Sequence, residues 1–137
     1  LVEAILTLSR NSLSSDPNAA IYYANSALSI ADSIKYFKGS TQALKTRGIA
    51  YYNQSKYFEA IQSWQLALPV YEKLKDLAGK ANMLSNIGVI FFQQADELRA
   101  LDYYLKALKI AEEIANDNAS TRYMNAKEGL KPRRQEN

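Results

Sequence analysis

The sequence contains neither cysteine nor histidine, and these two absences narrow the chemistry available to it. Without cysteine there is no disulfide, no thiol nucleophile and no zinc–thiolate site. Without histidine the chain lacks the commonest general base and the commonest metal ligand of proteins. A glycine-rich phosphate loop is also missing, since Gly48 and Gly88 stand singly within predicted helices. We therefore expect a chain that is not an enzyme, with no catalytic residues, no metal site and no cofactor.

Long apolar runs and strong charge are missing as well. No apolar run approaches the roughly 20 residues that a membrane-spanning helix requires, so we expect no membrane insertion. The net charge is only +3, from 17 basic and 14 acidic residues that are interspersed along the chain. Nucleic-acid binders usually cluster their basic residues. The one cluster here, Lys131, Arg133 and Arg134, is interpreted as a solvated terminus. We expect no nucleic-acid partner.

The chain begins with Leu1 rather than methionine, which indicates a fragment or a processed chain, and a lost signal peptide remains an alternative. Its 137 residues suit one domain, and an apolar content of 47% suits a folded one. We expect a cytoplasmic location, with an extracytoplasmic region of a bacterial sensor as the alternative.

The sequence does contain an internal repeat: residues 41 to 114 consist of two similar units of about 40 residues. Six residues return 40 positions later, so that Leu44, Gly48, Tyr51, Ala60, Trp64 and Ala67 become Leu84, Gly88, Phe91, Ala100, Tyr104 and Ala107. Fixed periods in this range are typical of helical solenoids. The glycines and alanines let two helices pack closely at tight crossings. Trp64 and Tyr104 then fill the space toward the next unit, and we expect both to be buried between consecutive helix pairs.

These residues resemble the tetratricopeptide repeat. Its pattern is an apolar residue, glycine four later and an aromatic three later, followed after a turn by alanine, an aromatic four later and alanine three later. Both units match all six positions. The family repeat usually spans about 34 residues, so a 40-residue unit is similar to the long variety of kinesin light chains and of non-catalytic regions in bacterial signalling proteins. The resemblance implies an all-α, right-handed alpha-alpha superhelix.

The resemblance and the helical periodicity together predict a single domain of about three helix pairs plus a C-terminal capping helix. The predicted boundaries are about residues 1–38, 39–78 and 79–118 for the repeats, 119–131 for the capping helix and 132–137 for the tail. Leu8 and Asn11 replace the glycine and the aromatic of the first repeat, as expected for a terminal unit. A polar turn at residues 116–118 should precede the capping helix, and Pro132 should end it.

Local signals predict where individual helices begin and which side they bury. Asp16, which precedes Pro17, and Asp96 are predicted N-caps, and Ser55 is a third. Pro69 falls within a continuing apolar pattern, which favours a bend over a break. The inward stripe of the sixth helix is predicted to be Leu101, Tyr104, Leu105, Leu108 and Ile114.

A binding surface follows from the resemblance, because stacked helix pairs leave a concave face. In the family this face is lined by one side of each repeat's first helix. The corresponding residues here are Gln42, Lys45, Ile49, Tyr52 and Asn53, and then Asn82, Ser85, Val89, Phe92 and Gln93. The amides suit a peptide backbone, and the apolar side chains suit anchors of an extended or helical segment. The alternative is that the apolar side chains pack on a neighbouring helix.

One subclass of the family grips the terminal carboxylate of chaperone tails with a lysine–asparagine clamp. Lys45, Asn86 and Arg122 fall near clamp-like places and join the candidate groove residues. The match is partial, because Ile49 stands where the clamp has asparagine and Ala126 where it has a basic residue. Lys45 and Arg122 favour an acidic partner.

Binding is therefore the favoured interpretation: a non-catalytic module that holds a peptide or helical segment of a partner protein in its groove. The alternative is a sensor, regulatory or dimerisation segment at the N-terminus of a larger bacterial signalling protein, such as an adenylate cyclase, a histidine kinase or a transcription regulator. A homodimer also stays open. Glu112 and Glu113 are interpreted as a solvated helix face rather than as catalytic carboxylates.

Overall fold

The computed structural model describes residues 1–129, which form six α-helices and no strand. The helices are α1 Val2–Ser12, α2 Pro17–Ser33, α3 Phe37–Asn53, α4 Tyr57–Lys73, α5 Leu77–Gln93 and α6 Glu97–Gly129. Each helix packs on the next one along the chain, and α1 also contacts α3. This neighbour pattern is that of a helix-pair solenoid. The predicted all-α array of three helix pairs is confirmed.

The turns between the helices follow a 20-residue register. Helices α2 to α5 each contain 17 residues. A residue with positive φ stands in the turn after each of these four helices, namely Lys35, Ser55, Lys75 and Ala95. The next backbone amide then donates to the carbonyl five residues earlier, as from Tyr36 to Ala31 at 2.8 Å. This is the Schellman arrangement, which usually places glycine at the left-handed position. Here none of the four residues is glycine.

Aspartates cap three of the helices. The carboxylate of Asp16, next to Pro17, accepts the amide three residues later at 3.1 Å, and that of Asp96 does the same at 3.3 Å. Both predicted N-caps are confirmed. Asp76, which the sequence reasoning overlooked, caps α5 through an equivalent bond of 2.9 Å. Each bond satisfies one of the amides that a helix N-terminus leaves without an intrahelical partner.

Two other local predictions concern Ser55 and Pro69. The predicted cap at Ser55 is wrong, because Ser55 occupies the left-handed turn position and Lys56 is the residue that precedes α4. Pro69 does not break α4, which continues from Tyr57 to Lys73, and the bend expected there stays a prediction. The ring of Pro69 removes one backbone hydrogen bond, and packing of the apolar face on both sides keeps the helix whole.

The C-terminal region differs from the prediction. The polar turn expected at residues 116–118 is wrong, because α6 runs unbroken from Glu97 to Gly129. Asn and Asp cost an exposed helix only a fraction of a kcal/mol each, which is too little to end it without a competing contact. The C-terminal helical segment is thus continuous with α6. The predicted end at Pro132, the last residues of the capping helix and the basic tail lie outside the described residues.

The core is centred on α3, α4 and α5. Its buried side chains include Ala60, Trp64, Tyr71, Met83 and Ile87. Trp64 is only 4% exposed, so its predicted burial between helix pairs is confirmed. Burying a side chain of this size contributes several kcal/mol to folding.

The sixth helix buries a different side from the one predicted. Leu101, Leu105 and Leu108 are each 53% exposed, so most of the predicted inward stripe is wrong. Tyr104 and Ile114 are half-buried. The predicted burial of Tyr104 between consecutive helix pairs is therefore wrong, because its outer side is not covered by a further pair in the described residues. The residues that α6 does bury are Ala100, Ala107 and Ile110. The reason is that no further helix pair follows α6 within the described chain, so only the side that faces α5 is covered.

The glycines of the repeat lie at the predicted close crossings. A Cβ on Gly48 would lie 2.1 Å from Nε1 of Trp64, and one on Gly88 would lie 2.8 Å from Cε1 of Tyr104. Both contacts join the two helices of one repeat, and both are too short for any side chain without movement. The Trp64 ring is held in place, because its Nε1 donates to the carbonyl of Lys45 at 3.2 Å.

Candidate functional site

Four of the predicted groove residues line one cavity. Ile49 and Tyr52 come from α3, Asn86 and Val89 come from α5, and Trp64 of α4 completes the lining. The Tyr52 and Trp64 ring centroids are 6.5 Å apart. The 17-residue helices keep these side chains in register across the repeat boundary, because α3 and α5 begin 40 residues apart. The cavity is therefore mainly aromatic and aliphatic, with one amide at its edge.

The two helices are also joined by a polar contact across the groove. The Tyr52 hydroxyl lies 3.0 Å from Oε1 and 2.8 Å from Nε2 of Gln93. This contact links the C-terminal end of α3 to that of α5 and fixes the ring of Tyr52 over the cavity. The amide of Gln93 is exposed, so a bound peptide backbone could also bond to it.

None of the twelve candidate groove residues is buried as the core side chains are. Six are half-buried, namely Gln42, Lys45, Ile49, Tyr52, Ser85 and Asn86, and six are exposed, namely Asn53, Asn82, Val89, Phe92, Gln93 and Arg122. Ile49 and Tyr52 pack partly against the central core, as the alternative interpretation expected. Val89 is 38% exposed and Phe92 60% exposed. Large apolar side chains in a concave, partly exposed position are typical of binding surfaces.

Phe92 belongs to a second cavity, one repeat further along. Its other lining residues are Glu97, Ala100, Leu101 and Tyr104. Tyr104 occupies the position that Trp64 occupies in the first cavity. The solenoid thus repeats its apolar depression along with its sequence.

Some predicted residues stand apart from the cavity beside Tyr52. The side-chain amide of Asn53 donates to the carbonyl of Leu13 at 3.2 Å, so it is engaged with the turn before α2. Arg122 is exposed on the C-terminal part of α6, and neither it nor Lys45 lines the cavity. The structure therefore does not bring Lys45, Asn86 and Arg122 together around this cavity as a clamp.

A basic residue that the sequence reasoning missed sits on the opposite side of α3. Arg47 donates from Nε to Oγ of Ser63 and from Nη1 to Oδ1 of Asn25, both at 3.0 Å. Burial lowers the pKa of the Arg47 guanidinium, although the neighbouring Tyr51 opposes that shift. Arg47 joins α2, α3 and α4, and nothing in its sequence context marked it among the other interspersed basic residues.

Metal-binding clusters and membrane-spanning helices are the remaining candidate features of residues 1–129. That part of the chain holds no group of three or more acidic, cysteine or histidine residues arranged to hold a metal ion. None of its helices is both long enough and apolar enough to cross a membrane. Glu112 and Glu113 are exposed on α6.

Comparison with known proteins agrees with this architecture. The tetratricopeptide repeat family matches residues 40–113, which is more than half of the chain and includes both central repeats. The crystal structure of the TPR domain of Arabidopsis FLU is similar, with a TM-score of 0.74 and 22% sequence identity over 82% of this chain and 95% of that chain. No curated protein matches the sequence. The chain belongs to the tetratricopeptide repeat family, whose fold is generally a protein-interaction scaffold.

Proposed function

We propose that this chain binds a peptide or a helical segment of a partner protein in the groove formed by α3 and α5. The observation that carries the proposal is the cavity lined by Ile49, Tyr52, Asn86 and Val89 beside Trp64. It is apolar, partly exposed and bordered by amides. A bound segment would place one apolar side chain there and bond its backbone to the amides.

The second cavity, at Phe92, supplies a second anchor position one repeat away. Tyr52 and Phe92 occupy equivalent places on α3 and α5, so a segment that spans both would be fixed in register. Aromatic residues in such positions carry much of the binding energy of interfaces, because they bury large area with little loss of conformational freedom. Asn82 and Gln93 lie on the same helix and are exposed.

The chemistry of the partner segment follows from these groups. Apolar side chains at two positions would fill the cavities, and polar backbone or side-chain groups between them would meet the amides of Asn82, Asn86 and Gln93. Lys45, half-buried on α3, favours a carboxylate nearby. We therefore expect a segment with two apolar anchors and at least one acidic residue.

The experiment is a selection from a displayed library of random peptides, followed by NMR mapping of the best binder on the isotope-labelled chain. The proposal requires that the largest shifts on titration fall on the amides and side chains of α3 and α5 that line the groove. Shifts confined to the opposite side, around Arg47 and Ser63, would contradict it. A peptide of the same composition in scrambled order is the control.

A further inference from the structure

The last helix pair presents an apolar face that is covered in the pair before it. In α4, Trp64 and Tyr71 are buried in the central core with Met83 and Ile87 of α5, and the partly buried Ile61 and Leu68 pack against that core. Forty residues later the same positions hold Leu101, Tyr104, Leu108 and Ala111. We call these four residues, together with Phe92, the end face. Leu101 and Leu108 are 53% exposed and Phe92 is 60% exposed.

The C-terminal part of α6 has the sequence of a helix that would cover this face. In the 40-residue register, Tyr123 and Met124 match Met83 and Leu84, which are 0% and 5% exposed on α5. Tyr123 and Met124 themselves are 68% and 62% exposed. Two large apolar side chains thus lie in solvent at positions where the preceding repeat buries their counterparts. Met83 is buried with Trp64 of α4. Leu84 is buried in the cluster that joins α5 to α6, against which Leu68 of α4 also packs. Lys127, at the position of Ile87, departs from this match.

A compensating change in side-chain size supports packing of a segment like residues 117–129 on the end face. A Cβ on Gly79 would lie 2.3 Å from Cε1 of Tyr71, so glycine is needed opposite that ring. The corresponding residues of the next repeat are Ala119 and Ala111. Where the earlier repeat has the ring of Tyr71, the next repeat has the methyl group of Ala111. Where the earlier repeat has Gly79, the next has the methyl group of Ala119, so the smaller residue on one surface leaves room for the larger one on the other.

The geometry of α6 excludes its own end face as the docking place. Helix α6 has 33 residues and α5 has 17, so the last 16 residues (33 − 17) run on past the helix pair. At about 1.5 Å per residue they extend roughly 24 Å along the same axis. A straight helix cannot turn back onto the side of its own first half.

We propose that the end face is covered by residues 117–129 of α6 from a second copy of this chain. The C-terminal segment of each copy packs on the end face of the other copy. The two α6 helices then lie antiparallel and cross near Ile114. Such a reciprocal contact is self-complementary and closes as a two-fold dimer. The exposed leucines of one copy are then buried by Tyr123 and Met124 of the other. This inference rests on different observations from the groove proposal, but the two contacts share Phe92, Leu101 and Tyr104. The second copy and a partner segment would therefore compete for the cavity at Phe92.

Cross-linking tests the pairing of the two copies directly. Asn86 and Ile49 line the same cavity in the middle of the chain. Their counterparts 40 residues later are Ala126 and Val89. In the proposed dimer, Ala126 of one copy should therefore lie near Val89 of the other. The chain has no cysteine, and Ala126→Cys and Val89→Cys therefore each introduce a single thiol. A mixture of the two variants, treated with a short bis-maleimide, should give a cross-linked dimer that neither variant gives alone. Absence of that product overturns the proposal.

Sedimentation equilibrium tests the contact without new thiols. The wild-type chain should dimerise reversibly, and Leu108→Glu should raise the dimer dissociation constant by roughly a hundredfold, because it buries an unpaired carboxylate. Leu66→Glu is the matched control, since Leu66 is 52% exposed on α4, and it should leave the dimer unchanged. Circular dichroism verifies that each variant retains its helix content.

Three further results would overturn the proposal. One is a wild-type chain that stays monomeric at every concentration reached. Another is a dimer that Leu108→Glu leaves intact. The third is a cross-link formed within single chains of the Val89→Cys, Ala126→Cys double variant, which would mean that residues 117–129 fold back on their own end face.

Discussion

The repeat depends on a few residues whose size cannot change independently of their neighbours. Gly48 faces Trp64, and Gly88 faces Tyr104, at the crossings within the second and third helix pairs. Trp64 is buried and hydrogen-bonded to the carbonyl of Lys45, whereas Tyr104 is half-buried at the end of the array. Equivalent positions in the sequence therefore differ in how far their neighbours can move.

This difference predicts unequal effects of the same substitution. Gly48→Ala should lower the free energy of unfolding by about 1–3 kcal/mol, because the new methyl group meets a ring that cannot withdraw. Gly88→Ala should cost clearly less, since the Tyr104 ring can swing toward solvent and alanine favours the helix by about 1 kcal/mol. Urea unfolding of both variants measures this. Equal losses would contradict the account.

The left-handed turn residues give a stabilising prediction. Ala95 has a φ of 61°, a conformation that costs a residue with a Cβ roughly 1–2 kcal/mol. Ala95→Gly should raise the free energy of unfolding by about 0.5–1 kcal/mol, after the greater freedom of glycine in the unfolded chain is subtracted. Ala78→Gly, at an exposed position inside α5, should lower it instead. A loss of stability for Ala95→Gly would show that this turn is not left-handed.

Tyr71 should make the fold sensitive to alkali. Burial raises the pKa of the Tyr71 phenol, Asp76 raises it further, and a hydrogen bond with Thr41 lowers it. Because the folded pKa lies above the unfolded value of about 10, the neutral phenol contributes its full stability below that value. The contribution is lost as the pH rises through the folded pKa.

The test compares urea unfolding at about pH 8 and about pH 11. Tyr71→Phe should lose less stability between these two conditions than the wild type does. Tyr22→Phe, which changes a tyrosine that is 68% exposed, is the control and should follow the wild type. A Tyr71→Phe variant that declines as steeply as the wild type would contradict the assignment.

The helices show which parts of the fold the sequence could predict. The 40-residue recurrence of glycine, alanine and aromatic residues predicted the helix pairs and the burial of Trp64, because close packing restricts those positions to particular sizes. The unbroken α6 could not be predicted, since residues 116–118 are polar and polar residues occur both in turns and on exposed helices. The left-handed turn residues Lys35, Lys75 and Ala95 also escaped notice, because their side chains carry no turn signal. Ser55 was predicted as a helix cap, since serine favours caps and turns alike.

Position within the array decides how much each aromatic contributes to stability. Trp64→Ala should lower the free energy of unfolding by roughly 3–5 kcal/mol, because the surrounding helices on both sides cannot close the cavity. Tyr104→Ala should lower it by less, since one side of that ring already faces solvent. Denaturant melts of both variants provide the measurement. A loss below about 1 kcal/mol for Trp64→Ala would be incompatible with a ring packed between two repeats.

The whole molecule combines a concave groove with an uncovered end. The sequence resemblance predicted Ile49, Tyr52, Asn86 and Val89 as groove residues, and these four line one cavity. It also predicted Arg122, which lies on the C-terminal part of α6, because alignment to a repeat assumed a seventh helix that turns back. The hydrogen bond of Asn53 to Leu13 and the contacts of Arg47 depend on helices distant in sequence, which a single repeat pattern does not encode.

The central claim is that the groove of α3 and α5 binds a partner segment, and Phe92→Ala tests it most directly. Phe92 is 60% exposed, so its truncation should change the free energy of unfolding little. It should nevertheless weaken binding of a selected peptide by about 1–2 kcal/mol. Calorimetric titration measures this at a chain concentration low enough for the chain to be monomeric, because Phe92 also belongs to the proposed dimer contact. Phe58→Ala, which removes an aromatic ring that is 73% exposed on α4, should leave the affinity unchanged. An unchanged affinity for Phe92→Ala, together with a loss of several kcal/mol in unfolding, would contradict the account.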